Sequence, residues 1–145
     1  MGIHRTPKSG LFLLEMVILI LFFSIASAIC VNLFVKAHVL STQSRDLGTA
    51  VQQVQTVAET YKAVNGDTSQ MTQLLALAEE DGGKLALYYN KEWQIQQDSN
   101  DAVYTLTVVP VSNQGEDIVG AKIAVIKNDD KTEEIFAVDV KKYIG

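Results

Sequence analysis

Twenty consecutive positions, Met16 to Val35, carry no ionisable side chain except the thiol of Cys30. A run of that length predicts a helix able to cross the hydrocarbon core of a bilayer. Beyond it the pattern turns from uniformly apolar to periodic. Leu40, Leu47, Val51, Val54, Val57, Ala58, Tyr61 and Val64 recur at three- and four-residue intervals, opposite a polar face of Gln43, Gln52, Gln53, Thr56 and Thr60. That is the period of an amphipathic helix. No proline stands between Pro7 and Pro110, and Asn65-Gly66 supplies a stop, so the two patterns predict one helix from about Leu11 to Val64. It would be about 80 Å long at 1.5 Å per residue. Its first half spans a membrane or a filament core, and its second half lays one stripe on a globular domain. Gly48 costs about 1 kcal/mol relative to Ala inside a helix, and marks either close packing or a soft point.

Past the helix, Asp67-Thr68-Ser69 precede Met71, Leu74, Leu75, Leu77 and Ala78, which predicts a capped short helix ended by Asp81-Gly82-Gly83. Strands follow. Leu85 to Tyr89, Glu92 to Gln97, Ala102 to Val111, Ile118 to Lys127 and Glu133 to Val140 are rich in β-branched and aromatic residues. Asn90-Lys91, Asp98 to Asp101, Ser112 to Asp117 and Asn128 to Lys131 separate them as turns. Such short connections favour an antiparallel meander. Trp93 and Ile95 alternate with Glu92, Gln94 and Gln96, and Tyr104, Leu106 and Val108 alternate with Thr105 and Thr107, as in a sheet with one covered face. The expected fold is therefore α+β, a long N-terminal helix packed on a C-terminal antiparallel sheet of four to five strands.

Composition narrows the function classes. With 48% apolar and 20% charged residues, 9 Gly and 2 Pro, the 145-residue chain is neither disordered nor of low complexity. The net charge is −5, and beyond Gly10 ten basic side chains face seventeen acidic ones. No positive stripe is available for phosphates, which argues against nucleic acid as a partner. Cys30 is the single cysteine and His4 and His38 are the two histidines, so the sequence offers neither an intrachain disulfide nor a histidine pair for a metal. Asp98-Ser99-Asn100-Asp101 begins like a calcium loop, but Ala102 and Val103 stand where that pattern needs an oxygen ligand and Gly. A polar turn is the expectation there. No nucleophile elbow, P-loop, dinucleotide fingerprint or C-x-x-C occurs, and the expectation is a protein that is not an enzyme and uses no cofactor or metal.

The N-terminus carries the most specific pattern. Residues 1–10, MGIHRTPKSG, are polar and basic through Arg5 and Lys8, and end at Gly10 before LFLLEMVILILFFSIASAICVNLFV. This has the arrangement of an export signal. Ala26-Ser27-Ala28 would suit an ordinary signal peptidase, but Glu15 would then lie inside the apolar region of the signal. The apolar run also continues past such a cut through Ile29, Val31, Leu33, Phe34 and Val35. A short basic leader ending in Gly, Glu as the fifth residue after it and an otherwise uncharged helix instead resemble the class III signal of type IV pilins and type II secretion pseudopilins.

The resemblance implies cleavage by a prepilin peptidase between Gly10 and Leu11, methylation of the new Leu11 amino terminus, and a role for Glu15 in filament assembly. It also implies a pilin-like fold and a structural role, as a minor pilin or pseudopilin of a type IV pilus, type II secretion or competence filament. The implied partners are the prepilin peptidase, other pilin-like subunits, a membrane assembly platform and the cytoplasmic membrane. The chain then divides into a leader (1–10), a membrane or filament-core helix (11–35), the amphipathic half of the same helix (36–65) and an extracytoplasmic sheet domain (66–145). After assembly the protein would stand in a periplasmic or cell-surface filament. The alternative is a single-pass signal-anchored protein with a small extracytoplasmic binding domain.

Glu15 has a reading from physics alone. A carboxylate at the centre of a membrane helix costs on the order of 3 kcal/mol, which makes it a functional candidate. Close to a helix end it can also snorkel to the headgroups. A cut at Gly10 adds an α-amino group that is mostly protonated near neutral pH, and that amine can meet the Glu15 of a neighbouring chain.

Overall fold

The computed structural model describes residues 8–111, 117–129 and 132–145. Most of the leader, including His4, Arg5 and Pro7, and the middles of two expected turns, 112–116 and 130–131, lie outside the described residues. Helix α1 runs Lys8–Ala63 without a break, in agreement with the single helix expected. Contacts divide the chain into two compact units, Met1–Ser44 and Arg45–Gly145.

The described part of the first unit is helix alone. Nearly every side chain from Lys8 to Ser44 is exposed, and α1 is long and apolar enough to cross a membrane. Past its first turn the helix pairs its backbone groups internally, the condition a lipid environment imposes.

In the second unit α1 buries Ala50, Val54, Val57 and Tyr61, at the four-three-four spacing of one helical face. The expected stripe reached further back, to Leu40 and Leu47, but both are exposed. Ala50 is the first fully buried position of α1, so the covered stripe begins past Leu47. The helix ends as Asn65-Gly66 foretells. Asn65 and Gly66 take φ of 54° and 82°, and the Gly66 amide donates to the Tyr61 carbonyl at 2.9 Å. A Cβ on Gly66 would lie 3.0 Å from the Tyr61 hydroxyl and 3.1 Å from Val119 Cβ, so both conformation and space select glycine.

Helix α2 spans Thr68–Leu74, capped by Asp67, whose carboxylate accepts the Ser69 and Gln70 amides. It is shorter than expected. Leu75 turns extended and is partly buried against the core, and past Leu77, at φ 66°, the chain enters a strand outside those expected, β1, Glu79–Asp81. The remaining strands are β2 (Lys84–Tyr89), β3 (Ile95–Gln96), β4 (Tyr104–Val111), β5 (Ile118–Lys127) and β6 (Glu133–Tyr143). They form one antiparallel sheet in the order β1-β2-β4-β5-β6, with β3 also on β2. It has six strands against the four to five expected, the additional one being the three-residue β1.

Register explains the core. Leu87 pairs with Leu106, Leu106 with Val125 and Val125 with Phe136, so one face carries an apolar row across four strands. Neighbouring rows, such as Leu85, Val108, Ile123 and Val138, repeat it. This face and the buried stripe of α1 form a single core that also takes in Met71. The opposite face carries Ala86, Thr107, Ala124 and Ala137 in one row, the small or polar positions that alternation predicts.

Candidate functional site

Gly10, Leu11 and Glu15, the positions singled out by the sequence, lie together at the start of α1. The described helix starts at Lys8, so the Gly10–Leu11 peptide lies within its first described turn. Leu11 and Glu15 are four residues apart, hence one turn apart on one face. Both are exposed. Among the described residues the Glu15 carboxylate makes no hydrogen bond or ion pair, and the side chains of the apolar run around it are exposed as well. The surface of this stretch has shallow apolar grooves, lined by Met16, Ile20 and Phe23 and by Ile25, Ile29 and Leu33. Chemically the segment offers one ionisable acid on an apolar rod. Cys30 and His38 are exposed on the same helix.

A second cluster lies in the sheet unit and was not recognised from the sequence. The expected strand Glu92–Gln97 is reduced to Ile95–Gln96, because the Asn90 side chain captures the amides of Glu92 and Gln94 at 3.0 and 2.9 Å. That closes a tight turn and withdraws those amides from the ladder. Trp93, at φ 60°, is presented by this turn rather than by strand alternation. Its indole stacks on the Tyr104 ring, centroids 4.1 Å apart at 12°, and meets Tyr89 at 5.8 Å. Ile95, expected on the covered face, is 38% exposed.

The helix closes the cluster. The Asp46 carboxylate faces the Tyr104 phenol, and the Tyr89 hydroxyl donates to the Gln53 side-chain oxygen at 3.4 Å. Asp46 and Gln53 are seven residues apart, two turns along one face. Burial pushes the Tyr89 phenol up to about 12. Burial and then the Asp46 carboxylate do the same for Tyr104. These phenols are donors and packing surfaces at neutral pH. The Trp93 Nε1–H is buried without a partner, a cost the ring offsets by stacking. The one sequence signal for this cluster was the Asn-x-x-Trp-Gln spacing of a side-chain-closed turn.

Elsewhere the polar residues organise turns. The Asp98 carboxylate accepts the Asn100 amide and side chain at 2.9 Å each, so the segment that begins like a calcium loop is a closed polar turn. Among the described residues no three His, Cys, Asp or Glu side chains converge as a metal site. No family model matches the chain, and neither a curated protein nor a solved structure is significantly similar to it.

Proposed function

We propose that this chain is a structural subunit of a pilin-like filament, a minor pilin or pseudopilin, processed between Gly10 and Leu11 and assembled through α1. The observation that carries the proposal is the combination at the helix start. Gly10 closes a basic leader, Glu15 is the one acid of an exposed apolar run, and Leu11 stands one turn before it. The helix-on-sheet architecture of the second unit agrees with this reading.

The mechanism follows from charge and solvation. The precursor is held by the apolar helix with residues 1–10 on the cytoplasmic side, since Arg5 and Lys8 flank that end. Cutting after Gly10 removes this basic leader and leaves the Leu11 α-amine, protonated near neutral pH. A chain in the membrane then carries one carboxylate and one amine that are poorly solvated there. Stacking of chains with an axial stagger places the amine of one against Glu15 of another, so that each charge gains a partner. The contact joins different surfaces of two copies, and repetition of such a head-to-tail contact makes an open helical filament. The partners are a prepilin peptidase, other subunits with this kind of helix and a membrane assembly platform.

Intact mass of the membrane-extracted protein tests the processing step. The expected mature chain starts LFLLE, with a methyl group on Leu11, and Gly10→Val accumulates precursor. A chain that starts at Met1 supports the signal-anchored alternative, and one that starts at Ile29 supports an ordinary secretory signal. Either result overturns the proposal.

A further inference from the structure

Strand β6 is eleven residues long, contains no proline and closes one end of the sheet, paired with β5. Among the described residues nothing pairs with its other edge. Such an edge is a template for a further strand, which proteins usually blunt by shortness, proline or a bulge. The one irregularity of its ladder, opposite Val125 and Ile126, lies near its start and leaves Phe136 to Tyr143 regular. The Ile144 amide donates to the Asp117 carbonyl at 2.7 Å, so Ile144 turns its backbone groups toward the β5 side. By the alternation of an antiparallel ladder, Ala137, Asp139, Lys141 and Tyr143 turn theirs to the open edge. Their side chains lie on the sheet face away from the core, since the intervening Val138 and Val140 belong to the core side. Asp139, Lys141 and Tyr143 are exposed. Lys122, opposite Asp139 in β5, reaches Glu134 at 3.7 Å. Among the described residues neither Asp139 nor Lys141 has a hydrogen-bond or ion-pair partner of its own.

We propose that the open edge of β6 is a self-association surface, on which a second copy of this chain lays its own β6 antiparallel about a two-fold axis at Val140. Opposite residues of a continuous sheet share a face, so such an axis must pass through a residue position. At Val140 it sets Asp139 opposite Lys141 of the second copy, and Lys141 opposite its Asp139. The same register sets the small Ala137 opposite the large Tyr143, and it joins the outward backbone groups of all four residues. One position earlier the axis would bring Asp139 against Asp139, and one position later Lys141 against Lys141. Like charges directly opposite are destabilising, so the sequence of the strand both favours one register and opposes its neighbours. The contact is isologous and closes on itself, unlike a head-to-tail filament contact. It does not rest on the filament reading, and its test is independent of the processing of Gly10.

Disulfide crosslinking of the full chain in detergent tests the register, in a Cys30→Ser background that removes the native thiol. Opposite Cα atoms of a hydrogen-bonded pair lie about 5.5 Å apart, within disulfide reach. A chain with Asp139→Cys, mixed with a differently tagged chain with Lys141→Cys, should give a crosslinked species of mixed mass. Either chain alone should give little, because its thiols are offset by two residues along the strands. Charge reversal tests the energetics by sedimentation of the otherwise unmodified chain. Lys141→Asp turns two attractive pairs into repulsive ones and should weaken association about tenfold, and Asp139→Lys should do the same. The double variant Asp139→Lys with Lys141→Asp should restore it, which separates the β6 contact from any association through the apolar helix. Absence of the mixed crosslink overturns the proposal, as does equal crosslinking of either chain with itself. A double variant that associates no better than the single ones also overturns it, and leaves the edge to a strand of a different protein or to none.

Discussion

The Tyr61 hydroxyl donates to the Gly120 carbonyl at 2.8 Å, joining positions 59 residues apart in a buried hydrogen bond. Tyr61 stands in the last turns of α1 and Gly120 near the start of β5, so this bond fixes where along the sheet the helix comes to rest. A second tie lies beside it. The Lys142 ammonium of β6 donates to the Lys62 carbonyl at 2.7 Å and to the Asn65 side chain at 2.8 Å, a cation placed at the negative end of the helix dipole. Three consecutive features of the sequence, the end of the apolar stripe, the Asn65-Gly66 stop and the aromatic hydroxyl, thus act at one place.

Tyr61→Phe retains the ring and leaves the Gly120 carbonyl without this donor. The loss is about 1–3 kcal/mol, the cost of a buried unsatisfied acceptor. Chemical unfolding of the full chain, followed by near-ultraviolet circular dichroism, measures it. An unchanged midpoint would show that the bond contributes nothing.

Stability falls in alkali. The folded state holds the Tyr89 and Tyr104 protons up to about pH 12, whereas an unfolded tyrosine releases its proton near pH 10. The stabilisation is therefore complete below pH 10 and is lost as pH rises from 10 through 12. Melting temperature measured from pH 9 to 12 should decline steeply, and Tyr104→Phe should make the decline shallower. A flat profile would contradict the burial of the phenols.

The chain has one tryptophan, so Trp93 emission reports on the turn that holds it. Asn90→Ala removes the acceptor of the Glu92 and Gln94 amides and frees the indole from Tyr104. The expected result is a red-shifted emission with the far-ultraviolet spectrum nearly unchanged, because the long strands β4, β5 and β6 do not depend on Asn90. An emission maximum equal to that of the wild type would place the control of Trp93 elsewhere.

Glu15→Leu makes the apolar run more uniform, so it should insert in the membrane and still be cut after Gly10. It should not enter filaments. Without the carboxylate an incoming Leu11 amine is left uncompensated, at roughly 3–5 kcal/mol by analogy with broken buried ion pairs. Shear fractions and cysteine crosslinking read the outcome. Incorporation equal to that of the wild type would make Glu15 a snorkelling residue of a plain anchor.

Local chemistry made much of the fold legible. The unbroken α1, its stop at Asn65-Gly66, the Asp67 cap and the places of β2, β4, β5 and β6 are set by periodicity, capping and glycine conformation, which act over a few residues, although β4 starts at Tyr104 rather than Ala102 and β6 runs on past Val140 to Tyr143. The sequence likewise singles out Glu15, since a single acid in an apolar run is conspicuous without any fold, and with it the Gly10 and Leu11 on which the proposed processing rests.

Tertiary structure decided what depends on distant partners. Ala50 is buried and Leu47 exposed because the core covers α1 fully only from Ala50 onward, a boundary that hydrophobicity does not encode. Trp93 left the strand assigned to it because one side chain, Asn90, offered its neighbours' amides a better acceptor than the ladder. The three-residue β1 exists because Glu79–Asp81 find the edge of β2 beside them, with no hydrophobic alternation of their own. The hydrogen bond from Tyr61 to Gly120 joins residues 59 apart in sequence, and Asp46 faces Tyr104 from 58 residues away. Polar side chains carry no sequence period that names such a partner, so only the packed chain could pair them.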